Sequence, residues 1–378
     1  MRPRAADPRL IGTVGAYLLV AAVAAAVTFA VTPLVRRLAV ATGTIDYPSD
    51  RKVHPSDTPT MGGLAMYVGL LVGLAIAFAV PALADVHRAS AEPLAVAVAA
   101  TLMVILGVID DRRGVSVVVK VVAQVFIAGV LVLLGVLFLW FPWPGGTIVI
   151  MPSDQAALLT IVWVVAVANA VNLVDGLDGL AAGMVAIAAA AFFVYLIRAP
   201  GPGGGTSEAA LLSAITAGVC LGFLPWNFHP AKIFMGDTGS LMLGLLLATI
   251  TVSGLGRNPY PPSGGDIVAT AGVVVIPLLV LFIPFLDVAL AIVRRTRRGV
   301  GVGHPDKEHL HHRLMEIGHG HRSAVLLMYL WSALVSAAGL AVGLIDGRTV
   351  VAGLLVGVVI LFAITVFPRL ARSHDEAR

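Results

Sequence analysis

Apolar residues run along this chain in blocks of about twenty, separated by short polar stretches, from one end to the other. An α-helix rises about 1.5 Å per residue, so a block of that length crosses a hydrocarbon layer of about 30 Å. The pattern predicts about eleven transmembrane helices, near residues 11–39, 62–84, 93–109, 115–139, 155–173, 179–197, 209–225, 240–255, 267–293, 324–344 and 349–367. Between them, Pro142, Pro144, Gly145 and Gly146 punctuate one connection and Pro200 through Gly205 another. Both read as plain turns. The first block follows Arg2, Arg4 and Arg9, as a signal peptide would, but it is too long for one and runs without a cleavage site into Arg36 and Arg37. No internal repeat is visible.

Composition sharpens this picture. Hydrophobic residues make up 58% of the 378 and charged residues only 12%, too few polar groups to clothe a water-soluble ball. The expectation is an all-α polytopic membrane protein, a single integral membrane domain over residues 1–378. The lone Cys220 lies in an apolar block, which excludes an internal disulfide and a cysteine-based metal cluster. Alternating sides with each span places most Lys and Arg on one face, which the positive-inside rule makes cytoplasmic. The N-terminus then lies outside, although Arg2, Arg4 and Arg9 run against that orientation.

The same alternation sends every connection rich in Asp, Asn and His to the cytoplasmic face. These loops are near 37–61, 110–116, 172–178, 226–239 and 294–322, and the tail 368–378 joins them. The active site is therefore expected there. Asp110 and Asp111 end one helix, with Lys120 about two turns into the next. Adjacent acids repel and call for a cation, which could be a divalent metal, a lysine or a metal-bound phosphate. The alternative is a solvated loop pairing them with Arg112 and Arg113. Asn169, Asn172, Asp175 and Asp178 recur every three residues, so they project from one side of a helix or tight turn. Their hard oxygens suit Mg²⁺; a helix cap formed by Asp178 is the other reading. Asp237 sits between Gly236 and Thr238-Gly239, before a long apolar block, where it is an N-cap or a metal holder beside a phosphate seat. His309, His311, His312 and Arg313 follow in a loop that also carries His304, His319 and His321. They suit diphosphate donors better than a closed zinc site. Asp287, inside an apolar block, is a functional acid or half of a structural ion pair.

These stretches together resemble the polyprenyl-phosphate N-acetylhexosamine-1-phosphate transferases, the membrane enzymes of glycosyltransferase family 4. The residues that carry the likeness are Asp46-Tyr-Pro48 with Arg51-Lys52-Val-His54 and Pro59-Thr-Met-Gly62-Gly63, then Asp110-Asp111, Asn172 through Gly179, Phe234-Met-Gly-Asp237-Thr-Gly-Ser240, and His309-Leu-His-His-Arg313. The forms Arg51-Lys52-Val-His54 and His-Leu-His-His-Arg resemble the branch that uses UDP-N-acetylglucosamine (UDP-GlcNAc). Three consecutive histidines, typical of the phospho-N-acetylmuramoyl-pentapeptide transferases, are missing.

The resemblance implies transfer of GlcNAc-1-phosphate from UDP-GlcNAc to a decaprenyl or undecaprenyl phosphate, releasing UMP and starting a cell-wall or surface glycan. It implies catalytic roles for Asp110, Asp111, Asp175, Asp178, His309, His311 and His312. Substrate binding would fall to Lys52, His54, Lys120, Asn172, Asn227 and Arg313. Mg²⁺, with Mn²⁺ as the alternative ion, would be held by Asp237 and Asp175. The implied setting is a bacterial inner membrane with the site facing the cytoplasm; a homodimer is allowed and nucleic acid has no part. The rival classes are a transporter, which would place polar residues on both faces or at mid-depth, and a lipid-binding scaffold, which would not need acidic loops facing His and Arg clusters.

Overall fold

The computed structural model describes residues 8–47, 57–84, 86, 91–143, 147–198, 207–255, 319–344 and 347–366. Ten α-helices lie among them: α1 Pro8–Ala41, α2 Gly63–Ala79, α3 Glu92–Arg113, α4 Val117–Leu133, α5 Ser153–Val174, α6 Leu180–Arg198, α7 Glu208–Asn227, α8 Gly236–Leu255, α9 His321–Leu344 and α10 Gly347–Val366. Each falls on one of the expected apolar blocks. Six of them, α1, α3, α5, α6, α7 and α8, are long and apolar enough to cross a membrane, so the protein is a polytopic membrane protein. The expected span 267–293 lies outside the described residues.

The chain departs from the expected spans in two places. The expected helix over 115–139 stops at Leu133, because Gly135 takes φ +92, a left-handed conformation that helical residues avoid. Beyond it a strand hairpin stands where a plain turn was expected. β3 (Trp140–Trp143) pairs antiparallel with β4 (Thr147–Ile150), in register Trp140 to Ile150. Aromatic and β-branched residues on either side of Pro144-Gly145-Gly146 explain it. A smaller ribbon joins β1 (Ile45–Asp46) to β2 (Thr58–Pro59).

Helix α8 is the axis of the fold. Of its most apolar window 83% is buried, against 28% for α1. It is ringed by α2, α3, α5, α6 and α7. The approach is close because small residues remove side chains at the contact points. A Cβ on Gly107 of α3 would strike the backbone of Thr238, one on Gly63 of α2 would strike Gly239, and one on Gly244 would strike Ala168 of α5. The lipid-facing side of α4 carries Val117, Val118, Val122 and Phe126 exposed. With lipid as solvent those side chains need no protein cover.

Backbone hydrogen bonds gather several of the polar connections at one end of this bundle. Gly62 and Gly63 donate to the carbonyls of Phe234 and Met235, each at 2.9 Å, and Phe234 donates back to Pro59 at 2.8 Å. Arg36 at the end of α1 reaches the Lys232 carbonyl at 3.0 Å, and Arg322 at the start of α9 reaches the His229 carbonyl at 3.1 Å.

Candidate active site

Four helix ends supply the centre. α3 delivers Asp110 and Asp111 on its last turn, α4 delivers Lys120 from its first, α5 delivers Asn172 from its last, and α8 delivers Asp237 in its first. Lys120 Nζ bridges Asp110 Oδ2 and Asp237 Oδ2 in two short ion pairs. Asp110 Oδ1 also accepts the Val115 N–H at 2.7 Å, which folds the short link between α3 and α4 back onto the site. Asn172 Nδ2 donates to Asp237 Oδ1 at 2.7 Å and lies 2.9 Å from Ser240 Oγ. Asp237 is therefore held from two sides yet keeps 25% of its side chain accessible, against 9% for Asp110. An incoming ligand meets Asp237 more readily than Asp110.

Asp111 does something the sequence did not foretell. From sequence, Asp237 was either the cap of α8 or a metal holder. Instead Asp111 of α3 supplies the cap from another helix. Its Oδ1 accepts the Asp237 N–H at 2.8 Å, and its Oδ2 accepts the Thr238 N–H at 3.1 Å and the Thr238 hydroxyl at 2.6 Å. A carboxylate there satisfies free N–H groups and complements the positive end of the helix dipole. Gly236 takes φ +69, and a Cβ on it would run into Asp111 and Thr60. Only glycine fits at this corner.

Asp175 ends α5 as its C-cap, beside the same group. Desolvation pushes its carboxyl well above the usual range, and the charges of Asp237, Asp111 and Asp178 push the same way. Lys120 pairs with Asp110 and Asp237, and Asp237, Asp111 and Asp178 lie near enough to Asp175 to act on it. Among the described residues this corner holds more carboxylates than cations, and hard oxygens with surplus negative charge suit a divalent cation.

Asp178 is turned elsewhere. It does not cap α6; its Oδ2 lies 2.7 Å from His229 Nδ1 and accepts the Ala231 N–H at 3.1 Å. The helix start belongs to Asn227, which is buried: its Oδ1 accepts the Gly179 N–H and its Nδ2 donates to the Ile233 carbonyl, both at 3.1 Å. Asn227 is thus engaged on both ends of its amide by the loop fold. Tyr329 of α9 donates to the Gly179 carbonyl.

The structure therefore brings together Asp110, Asp111, Lys120, Asn172, Asp175 and Asp237, with Asp178 and Asn227 one turn of chain away. Lys52, His54, Asp287, His309, His311, His312 and Arg313 lie outside the described residues. His229 and Tyr329 were not singled out from sequence. Thr238 and Ser240 stood in the motif around Asp237 without a role of their own, although both lie within three residues of it in the first turn of a helix.

A membrane bundle whose helix ends converge on acids and a lysine is the class of protein the geometry defines, and the chain belongs to glycosyl transferase family 4. The model of that family matches residues 93–255, which hold every carboxylate just described. Among curated relatives, the decaprenyl-phosphate N-acetylglucosaminephosphotransferase of Mycolicibacterium smegmatis is 41% identical over 368 residues, covering 95% of this chain and 90% of that one. A probable undecaprenyl-phosphate N-acetylglucosaminyl 1-phosphate transferase of Bacillus subtilis is 37% identical, covering 86% and 83%. The undecaprenyl-phosphate alpha-N-acetylglucosaminyl 1-phosphate transferase of Escherichia coli is 29% identical, covering 80% and 78%.

Proposed function

We propose that this enzyme transfers GlcNAc-1-phosphate from UDP-GlcNAc to a polyprenyl phosphate in a bacterial inner membrane, at a site facing the cytoplasm, and releases UMP. The observation that carries the reading is the constellation of Asp110, Lys120, Asn172 and Asp237 at the meeting of four helix ends. The names of the relatives support the polyprenyl phosphate acceptor and the transferred N-acetylglucosamine phosphate, and the 41% identity to the M. smegmatis protein favours a decaprenyl acceptor. The pentapeptide-transferring branch is not favoured by any of these names.

In this reaction an oxygen of the lipid phosphate attacks the sugar-bearing phosphorus of the donor. The bond between the two donor phosphates breaks, and UMP leaves with the bridging oxygen. Both reactants are anionic, so charge repulsion is the first barrier. Asp237 and Asp175 are the residues that would hold Mg²⁺, which when bound neutralises the diphosphate and stabilises charge on the reacting phosphorus. Asn172 fixes the Asp237 carboxylate by its hydrogen bond, and Asp111 fixes the backbone beneath it. Lys120 offers its ammonium to a phosphate once that phosphate displaces a carboxylate partner. Asp110, freed in the same exchange, accepts or orients the proton of the lipid phosphate for in-line attack. Asp178 and Asn227 hold the loops beside this centre through hydrogen bonds to His229, Ala231, Gly179 and Ile233.

The test is Asp237→Asn, assayed for UMP release with UDP-GlcNAc and decaprenyl phosphate over a Mg²⁺ series. Loss of turnover of about 10²-fold or more at every Mg²⁺ concentration is expected. Turnover near that of the wild type would remove the metal assignment. A panel of labelled UDP-sugars reads the donor directly.

A further inference from the structure

A second cluster of metal-binding side chains stands at this end of the bundle. Asp178, His229 and His321 each present one donor atom, and these atoms lie within 4.8 Å of one another. They come from three places: the turn after α5, the loop before α8 and the first residue of α9. The two imidazoles stack with ring centres 4.1 Å apart and planes inclined by 18°. Asp178 Oδ2 already lies 2.7 Å from His229 Nδ1. His321 Nε2 is buried and has no hydrogen-bond partner among the described residues. Buried polar atoms are almost always satisfied, so an orphaned imidazole nitrogen beside a carboxylate and a second imidazole asks for an occupant.

We propose that Asp178, His229 and His321 form a binding site for a divalent transition-metal ion of the zinc class. Two imidazoles with one carboxylate match zinc and its neighbours, whereas magnesium prefers an all-oxygen shell. Zinc bond lengths of about 2.0–2.1 Å put tetrahedral ligand atoms about 3.3 Å apart. The three donor atoms, within 4.8 Å of one another, would close by about an ångström or more on binding. Three protein ligands leave the fourth position to water. The site differs from the Asp237 centre in its donors, because among the described residues it alone combines two imidazoles with a carboxylate. Its position is fixed by Arg322, whose Nε reaches the His229 carbonyl at 3.1 Å and ties α9 to the histidine loop.

The experiment uses the full-length protein in detergent, stripped with chelator and held in excess Mg²⁺. Binding of Zn²⁺ is read by equilibrium dialysis with elemental analysis, and the Co²⁺-loaded form by visible absorption. One zinc per chain is expected at this site, with the intense bands of tetrahedral Co²⁺. Affinity should fall about tenfold or more in His229→Gln and in His321→Gln. It should hold in Asp237→Asn, and in the combined His309→Gln, His311→Gln, His312→Gln variant, which excludes the other histidine cluster. Wild-type protein without tetrahedral Co²⁺ bands overturns the proposal even if the single variants fail to fold. Zinc binding that survives both single histidine substitutions, or vanishes only in the triple variant, overturns it as well.

Discussion

Replacing Asp111 by Asn separates two roles that a family motif alone would merge. In the structure Asp111 accepts three hydrogen bonds from the start of α8, two from backbone N–H groups and one from the Thr238 hydroxyl. Asparagine has one acceptor oxygen, and its amino end would face a donor. At best two of the three bonds survive and the charge opposite the helix dipole is gone. A stranded amide costs about 1–3 kcal/mol and a weakened cap about 0.5–2 kcal/mol, so about 2–4 kcal/mol of stability is at stake. For a chain of this size that lowers the melting temperature by roughly 3–5 °C. The five tryptophans provide a fluorescence readout of unfolding in detergent. UMP release, measured on the same samples below the transition, should fall because Asp237 loses its backbone anchor. A variant that melts like the wild type would refute the cap argument whatever its turnover. If turnover vanished without any change in melting, Asp111 would be acting on the substrate directly.

Lys120→Met should reduce turnover by about 10²–10³-fold, because Asp110 and Asp237 would face each other and the phosphates without an ammonium; single-turnover kinetics with UDP-GlcNAc read it. Gly107→Ala should destabilise the bundle by about 1–3 kcal/mol, since its Cβ meets the Thr238 backbone; a larger side chain that left the melting curve unmoved would contradict the close α3–α8 contact. The raised pKa of Asp175 gives a pH signature. At pH values below that raised pKa the ion-free carboxyl holds a proton, so Mg²⁺ binding there releases one and its affinity climbs with pH by up to about tenfold per unit. Above the raised pKa the affinity levels off. The ion-free protein has the opposite trend: an acid harder to ionise when folded than unfolded loses stability as pH rises between the two pKa values. Titration calorimetry in buffers of different ionisation enthalpy counts the proton; a smaller release in Asp175→Asn than in the wild type is the expected result.

Much of this was legible in the chain, and the limits have physical causes. Blocks of apolar residues mark the helices because lipid tolerates little else, so even α2 began where the pattern put it, although it ends at Ala79, ahead of Pro81, and not at residue 84. The helix end at Leu133 was misplaced because Gly135 looks like any other glycine in an apolar run until its φ is known. Asp110, Lys120, Asn172 and Asp237 could be named as site residues from their loops, since acids and amides at a membrane edge have few idle uses. Which acid does what was not legible. Asp111 differs from Asp110 only in which helix it meets, α8 rather than α4, and that depends on a packing contact across 126 positions of chain. The pairing of His229 with His321 escaped notice for the same reason: the two stand far apart in the chain, and only the placement of α9 brings them into a stack.

The glycine-sized contacts around α8 have a further consequence for how the enzyme lives in its bilayer. Main chain rests on main chain at Gly63, Gly107 and Gly244, so the reacting groups inherit their spacing from rigid rods touching at their waists. Valines and leucines on the outer surface can drift in evolution, or the annular lipid can change with growth temperature, and these contacts do not feel it. The spacing of the reacting groups is thus mechanically insulated from the bilayer around it.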